Sequence, residues 1–117
     1  MSAYRLGGWL INDEEAIAWG ARLSRKPVEE VDWDFAVMMI LRHLRKFGIT
    51  LTGVTYPQDV DILMVVTRAE PYVGWRKGDD PTKLKQFGKG KLEAMVLKAL
   101  EREGVKQTEY VTAHGWL

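Results

Sequence analysis

The chain has 117 residues, 46% of them hydrophobic and 28% charged, with a formal net charge of +1 and no cysteine. That length is close to the commonest size of a single domain, and the composition is globular rather than disordered. The lack of thiols excludes disulfides, thiolate metal sites and cysteine nucleophiles, and a charge so near zero selects no polyionic partner by itself.

Met1 to Leu10 carries one positive charge, Arg5, and no long apolar run, so it does not read as a signal peptide. Ala3 to Ile11 is expected to form a first strand, interrupted at Gly7-Gly8 by a bulge or a close backbone approach. Asn12 followed by Glu15 has the form of a capping box. It opens a helix that should run to about Lys26, where Pro27 stops it, with Ala16, Trp19, Gly20 and Leu23 facing inward. Asp32 can cap a second helix ending at Phe47, with Gly48 as a left-handed terminator. Its inward face is expected to include Phe35, Met38, Met39, Leu41, Leu44 and Phe47. The apolar runs at Ala36–Leu41 and Ile62–Val66 fall far short of the ~20 residues that cross a bilayer, which points to a soluble protein without a membrane partner, and the absence of cysteine fits a reducing, cytoplasmic compartment.

The apolar period then changes from 3.6 to 2. Ile49, Leu51 and Gly53 alternate with threonines, Tyr56-Pro57-Gln58-Asp59 is turn chemistry, and Val60 to Thr67 is rich in β-formers. This is a hairpin, and the two-sided apolarity of Ile62–Val66 makes its second strand a central one. Glu70 to Asp80 reads as a loop. Asp80-Pro81 opens a helical segment to Phe87, a longer helix covers Lys91 to Arg102, and Gly104 ends it. Leu84, Phe87, Leu92, Met95, Val96, Ala99 and Leu100 are expected on one face. The tail from Lys106 to Leu117 reads as a last strand.

The expected architecture is one α+β domain over residues 1–117, in the order β-α-α-β-β-α-β. A three- to four-stranded, mainly antiparallel sheet would carry its helices on one face. Trp9, Trp116 and the apolar second face of the sheet point to a covering copy of the same chain, hence a homodimer.

No catalytic residue can be assigned. The two histidines, His43 within a helix and His114 near the C-terminus, belong to no recognisable nucleophile–base pattern. Asp59-Val60-Asp61 is better explained as a turn cap than as a metal site, and no metal or other cofactor is expected. Gly88-Lys89-Gly90-Lys91 lacks the spacing of a phosphate loop.

The segment worth most is the loop after the central strand, where Arg68, Tyr72, Trp75, Arg76 and Lys77 combine aromatic surface with positive charge. That mixture suits a small anionic ligand or an acidic protein partner. Its structural alternative is that Tyr72 and Trp75 plug the sheet edge. The chain therefore reads as a non-enzymatic interaction or ligand-binding module. Nucleic-acid binding through the basic segment 76–91 is a weaker reading, because the sequence pI is only about 8.0. A small enzyme using Tyr56, Tyr72 or Glu70 is a third.

Overall fold

The computed structural model describes residues 2–76, 78–106 and 108–117. The expected order of elements is what forms. Strand β1 covers Ala3–Ile11, helix α1 Asp13–Ser24 and helix α2 Trp33–Arg45. They are followed by strands β2 (Thr50–Thr55) and β3 (Asp61–Pro71), helix α3 (Lys91–Arg102) and strand β4 (Tyr110–Trp116). This is an α+β fold with a four-stranded antiparallel sheet.

Local chemistry sets the helix starts. The Asn12 side chain accepts a hydrogen bond from the Glu15 N–H at 2.8 Å, and Asp32 does the same for Phe35 at 2.8 Å. Each such cap typically contributes about 1 kcal/mol. The Glu15 carboxylate does not close the box. It reaches instead to the backbone N–H of Lys106, tying the start of α1 to the segment that enters β4. The segment after Asp80 forms only a 3-10 turn, Pro81–Lys83, rather than a helix to Phe87.

The sheet is more curved than expected. β1 pairs with β3 and β4, and β2 pairs with β3, so β3 is central as its two-sided apolarity requires. A single further pairing, Val54 opposite Gly115, joins β2 to β4 and closes the sheet into a small barrel. A bulge between Gly7 and Gly8 sharpens the twist of β1 against β3. Gly115 sits at the seam because only a glycine fits there: a Cβ would lie 2.6 Å from the Leu6 side chain.

Alternation along the strands divides the apolar residues between two cores. Leu6, Leu10, Val54, Met64, Val111 and Ala113 fill the barrel interior. Trp9, Ile11, Leu51, Leu63 and Val65 project outward and are covered by Trp19, Ile40, Leu44, Val96 and Leu100 from the helices. The face expected to meet a second copy is thus covered by the sheet's own curl. Trp9 is likewise core within its own chain, with its indole N–H donating to the Glu93 carbonyl at 3.0 Å. Trp116 is half exposed. Helices α1 and α2 approach closely because Gly20 lies against Ala36.

Two helical faces differ from expectation. In α2 the buried stripe is Ala36, Ile40 and Leu44, whereas Met38 is 38% exposed and Phe47 lies beyond the helix end, 65% exposed. In α3 the buried residues are Glu93, Val96 and Leu100, leaving Leu92 and Met95 outside. No helix among the described residues is long and apolar enough to cross a membrane.

Candidate functional site

Strand β3 runs to Pro71, so two residues expected in a loop are strand residues. Arg68 lies opposite Gly7 and Glu70 opposite Arg5, to which it is salt-bridged. Arg68 is turned to α3, where its Nε donates to the buried Glu93 carboxylate at 3.3 Å. That bond ties β3 to the start of α3. Tyr56 packs beside the barrel interior, and burial raises its hydroxyl above the ordinary pKa, with the charges of Glu109 and Asp80 adding to this.

Tyr72 and Trp75 do come together, and the structure adds partners to them. After Pro71 the Tyr72 N–H bonds the Ala3 carbonyl at 3.2 Å, and the chain then crosses the outer surface of β4. Ala113 points into the barrel and Gly115 faces Leu6, so His114 and Trp116 must face outward. Helices do not cover them there; the loop does. Trp75 stacks on His114 with ring centres 5.1 Å apart and planes 8° from parallel. Tyr72 meets the same imidazole edge-on at 6.3 Å, and Trp116 does so at 5.5 Å. His114, near the C-terminus, is thus fixed on a paired strand, opposite Arg5, and clasped by three rings.

These four rings form an aromatic wall of an open cavity of about 730 Å³ that Gly53, Thr55 and Asp61 also line. The Asp61 carboxylate accepts a hydrogen bond from the Thr55 hydroxyl at 3.4 Å. The loop behind the cavity is ordered by its own aspartates. Asp79 accepts from the Arg76 N–H at 2.8 Å, and Asp80 accepts from both the N–H and the hydroxyl of Thr82. The Gln58 amide donates to the Gly78 carbonyl at 3.2 Å, joining the hairpin turn to the loop. Arg76 itself is exposed beyond the rim, and Lys77 lies outside the described residues. Among the described residues no group of three His, Asp or Glu side chains could hold a metal ion.

Burial lowers the His114 pKa from its ordinary 6.5, so the imidazole is neutral at pH 7. Below pH 6.5 the unfolded chain binds this proton and the folded chain resists it, so stability should fall as the pH is lowered from 6.5 towards the folded-state pKa. Urea unfolding across that range should show the fall, and His114→Gln should flatten it. An unchanged slope in the variant would mean that His114 is not held in this stack.

Sequence reasoning singled out Tyr72 and Trp75 but missed His114, Trp116 and Asp61 as their companions. The signal was present in part. Period-2 alternation places His114 and Trp116 on one face of the last strand, though nothing in the sequence says that a loop some forty residues earlier lies over them. No protein family, curated protein or solved structure matches the chain.

Proposed function

We propose that this chain is a non-catalytic binding module that takes a flat heteroaromatic ring against its aromatic wall, with any anionic substituent reaching Arg76 outside the rim. The observation that carries this reading is the convergence of Tyr72, Trp75, His114 and Trp116 on one open cavity. Rings that serve only as core are covered; here a wall of them borders solvent-accessible space, and Trp116 is half exposed. Stacking on such a surface is typically worth about 1–3 kcal/mol per ring. Among the described residues, the one acidic side chain lining the cavity is Asp61, and no lysine or arginine lines it. The cavity itself therefore favours a neutral ring that donates a hydrogen bond, and among the described residues an anion is favoured at Arg76.

Titration of the intrinsic tryptophan fluorescence with adenosine and with adenosine monophosphate tests this. Both probes should quench saturably. Trp75→Ala should weaken both by roughly 5- to 100-fold, and Arg76→Ala should weaken the monophosphate alone. Thermal melts decide the competing structural role. Trp75→Ala should cost less than about 1.5 kcal/mol, because the ring lies on the outside of β4 rather than in either core. A loss of about 3 kcal/mol or more would make Trp75 a plug of the fold. Absence of quenching by either probe would remove the ring-binding reading.

A second reading has one observation in its favour. Asp61 and His114 line the same cavity, as an acid–base pair would. No hydrogen bond joins them, however, and the imidazole is occupied by three neighbouring rings, which supports binding over catalysis.

A further inference from the structure

A groove on the far side of the molecule, between the C-terminal end of α2 and the outer face of α3, encloses about 440 Å³. Phe47 and Ile49 form one wall, and Leu92, Met95 and Ala99 form the other. Three of these are large side chains left open to solvent, with Met95 66%, Phe47 65% and Leu92 47% exposed. Gathered in one place they make a contiguous apolar surface, whereas isolated exposed hydrophobics would need no explanation. The spacing of Leu92, Met95 and Ala99 sets a stripe along α3. From Leu92 to Arg102 that stripe is about 15 Å long, the span of roughly three turns of a docked helix.

Charge around the groove has one dominant sign. Lys98 and Arg102 line it, Lys91 begins the same helix, and Arg45 and Lys46 immediately precede Phe47. The acid within it, Glu103, is already engaged. One of its oxygens accepts from the Trp19 indole N–H at 2.6 Å, and the other lies 2.5 Å from His43 Nε2. We propose that this groove docks the apolar face of a short, acidic amphipathic helix supplied by a partner protein. An apolar stripe would give affinity and the basic rim would give orientation and choice of partner.

A second copy of this chain does not offer that occupant. Its acidic stretch, Asn12 to Asp34, includes α1, but the apolar residues of α1 (Ala16, Trp19 and Ala21) are buried beneath its own neighbours. The other two long helices end in basic residues.

The probe is a fluorescein-labelled synthetic helix of three to four turns, with leucines at i, i+3 and i+7 and glutamates on both flanks, read by fluorescence anisotropy. Its controls are the same peptide with lysine for glutamate and one with a central proline. The acidic peptide should bind the full chain, the other two should not, and raising salt from 50 to 500 mM should weaken binding several-fold. Met95→Glu should reduce affinity about 10-fold or more, as should the pair Lys98→Glu and Arg102→Glu, with melting temperatures unchanged because all three side chains are exposed. If Met95→Glu does not fold, the charge pair carries the test alone. Equal binding of the basic peptide, undiminished binding by the variants, or no binding of the acidic peptide would each overturn the proposal. So would sedimentation showing a self-associated chain that Met95→Glu converts to monomer, because a second copy would then be the occupant.

Discussion

Replacing Trp19 by alanine is expected to cost about 3–5 kcal/mol, a large part of the roughly 5–15 kcal/mol that stabilises a domain of this size. The indole is the largest fully buried side chain, set in the core between the helices and the outer face of the sheet. Truncation opens a cavity that the surrounding residues, several of them on rigid strands, cannot collapse into. It also removes the donor to Glu103, whose remaining partner is His43 on α2. Glu103 follows α3 directly, and its carbonyl accepts from the Arg22 side chain at 2.9 Å. One acid thus joins the three helices. Trp19→Phe separates the two effects: it keeps most of the volume, loses the hydrogen bond, and should cost about 1–3 kcal/mol. Urea midpoints measured at unchanged m-value would check both variants. A loss below about 1 kcal/mol for the alanine variant would mean that the indole is not enclosed between the helices and the sheet as described.

Trp19 was legible in the sequence; much else was legible only in part, for identifiable reasons. Side-chain caps are local, so Asn12 and Asp32 mark their helices without help from the fold. The phase of α2 was not local. Phe35 to Leu41 is apolar at every position, so its period cannot say which side faces in, and only packing against Gly20 selects Ala36, Ile40 and Leu44 over Met38. In α3 the error had the opposite origin. Glu93 looks like a solvent residue and Leu92 a buried one, but a capping bond and an arginine from β3 make the carboxylate tolerable inside. The closure of the sheet was invisible, since it depends on one pairing between strands sixty residues apart. The cavity shares that difficulty. Half of its aromatic wall comes from a loop with a readable composition and half from the last strand.

The second large effect is expected at Glu93, and its size depends on pH. The side chain is fully buried, accepts from the Gly90 N–H at 2.6 Å and from Arg68 Nε at 3.3 Å, and so caps α3 while anchoring β3 to it. Burial opposes the charge, but the Gly90 N–H and the Arg68 guanidinium outweigh it and hold the carboxyl below its ordinary range. A depressed carboxyl pKa adds stability that is fully present above the unfolded-state value and is lost as pH falls through the folded-state value. At pH 7, Glu93→Ala should therefore cost about 2–4 kcal/mol. That is less than a fully enclosed ion pair would lose, because Arg68 is half exposed and can turn to water. Glu93→Gln keeps an acceptor for the Gly90 N–H and should cost about 1–3 kcal/mol at the same pH. As the pH is lowered below the ordinary carboxyl range, the gap between wild type and Glu93→Gln should narrow, since wild type then loses the same charge. Unfolding free energies of both proteins from pH 7 down to pH 3 would show this. A gap independent of pH would mean that the carboxyl has the same pKa folded and unfolded, and a gap that widens as the pH falls would mean that Glu93 is held protonated; either result would show that its bond to Arg68 contributes nothing ionic to joining β3 and α3.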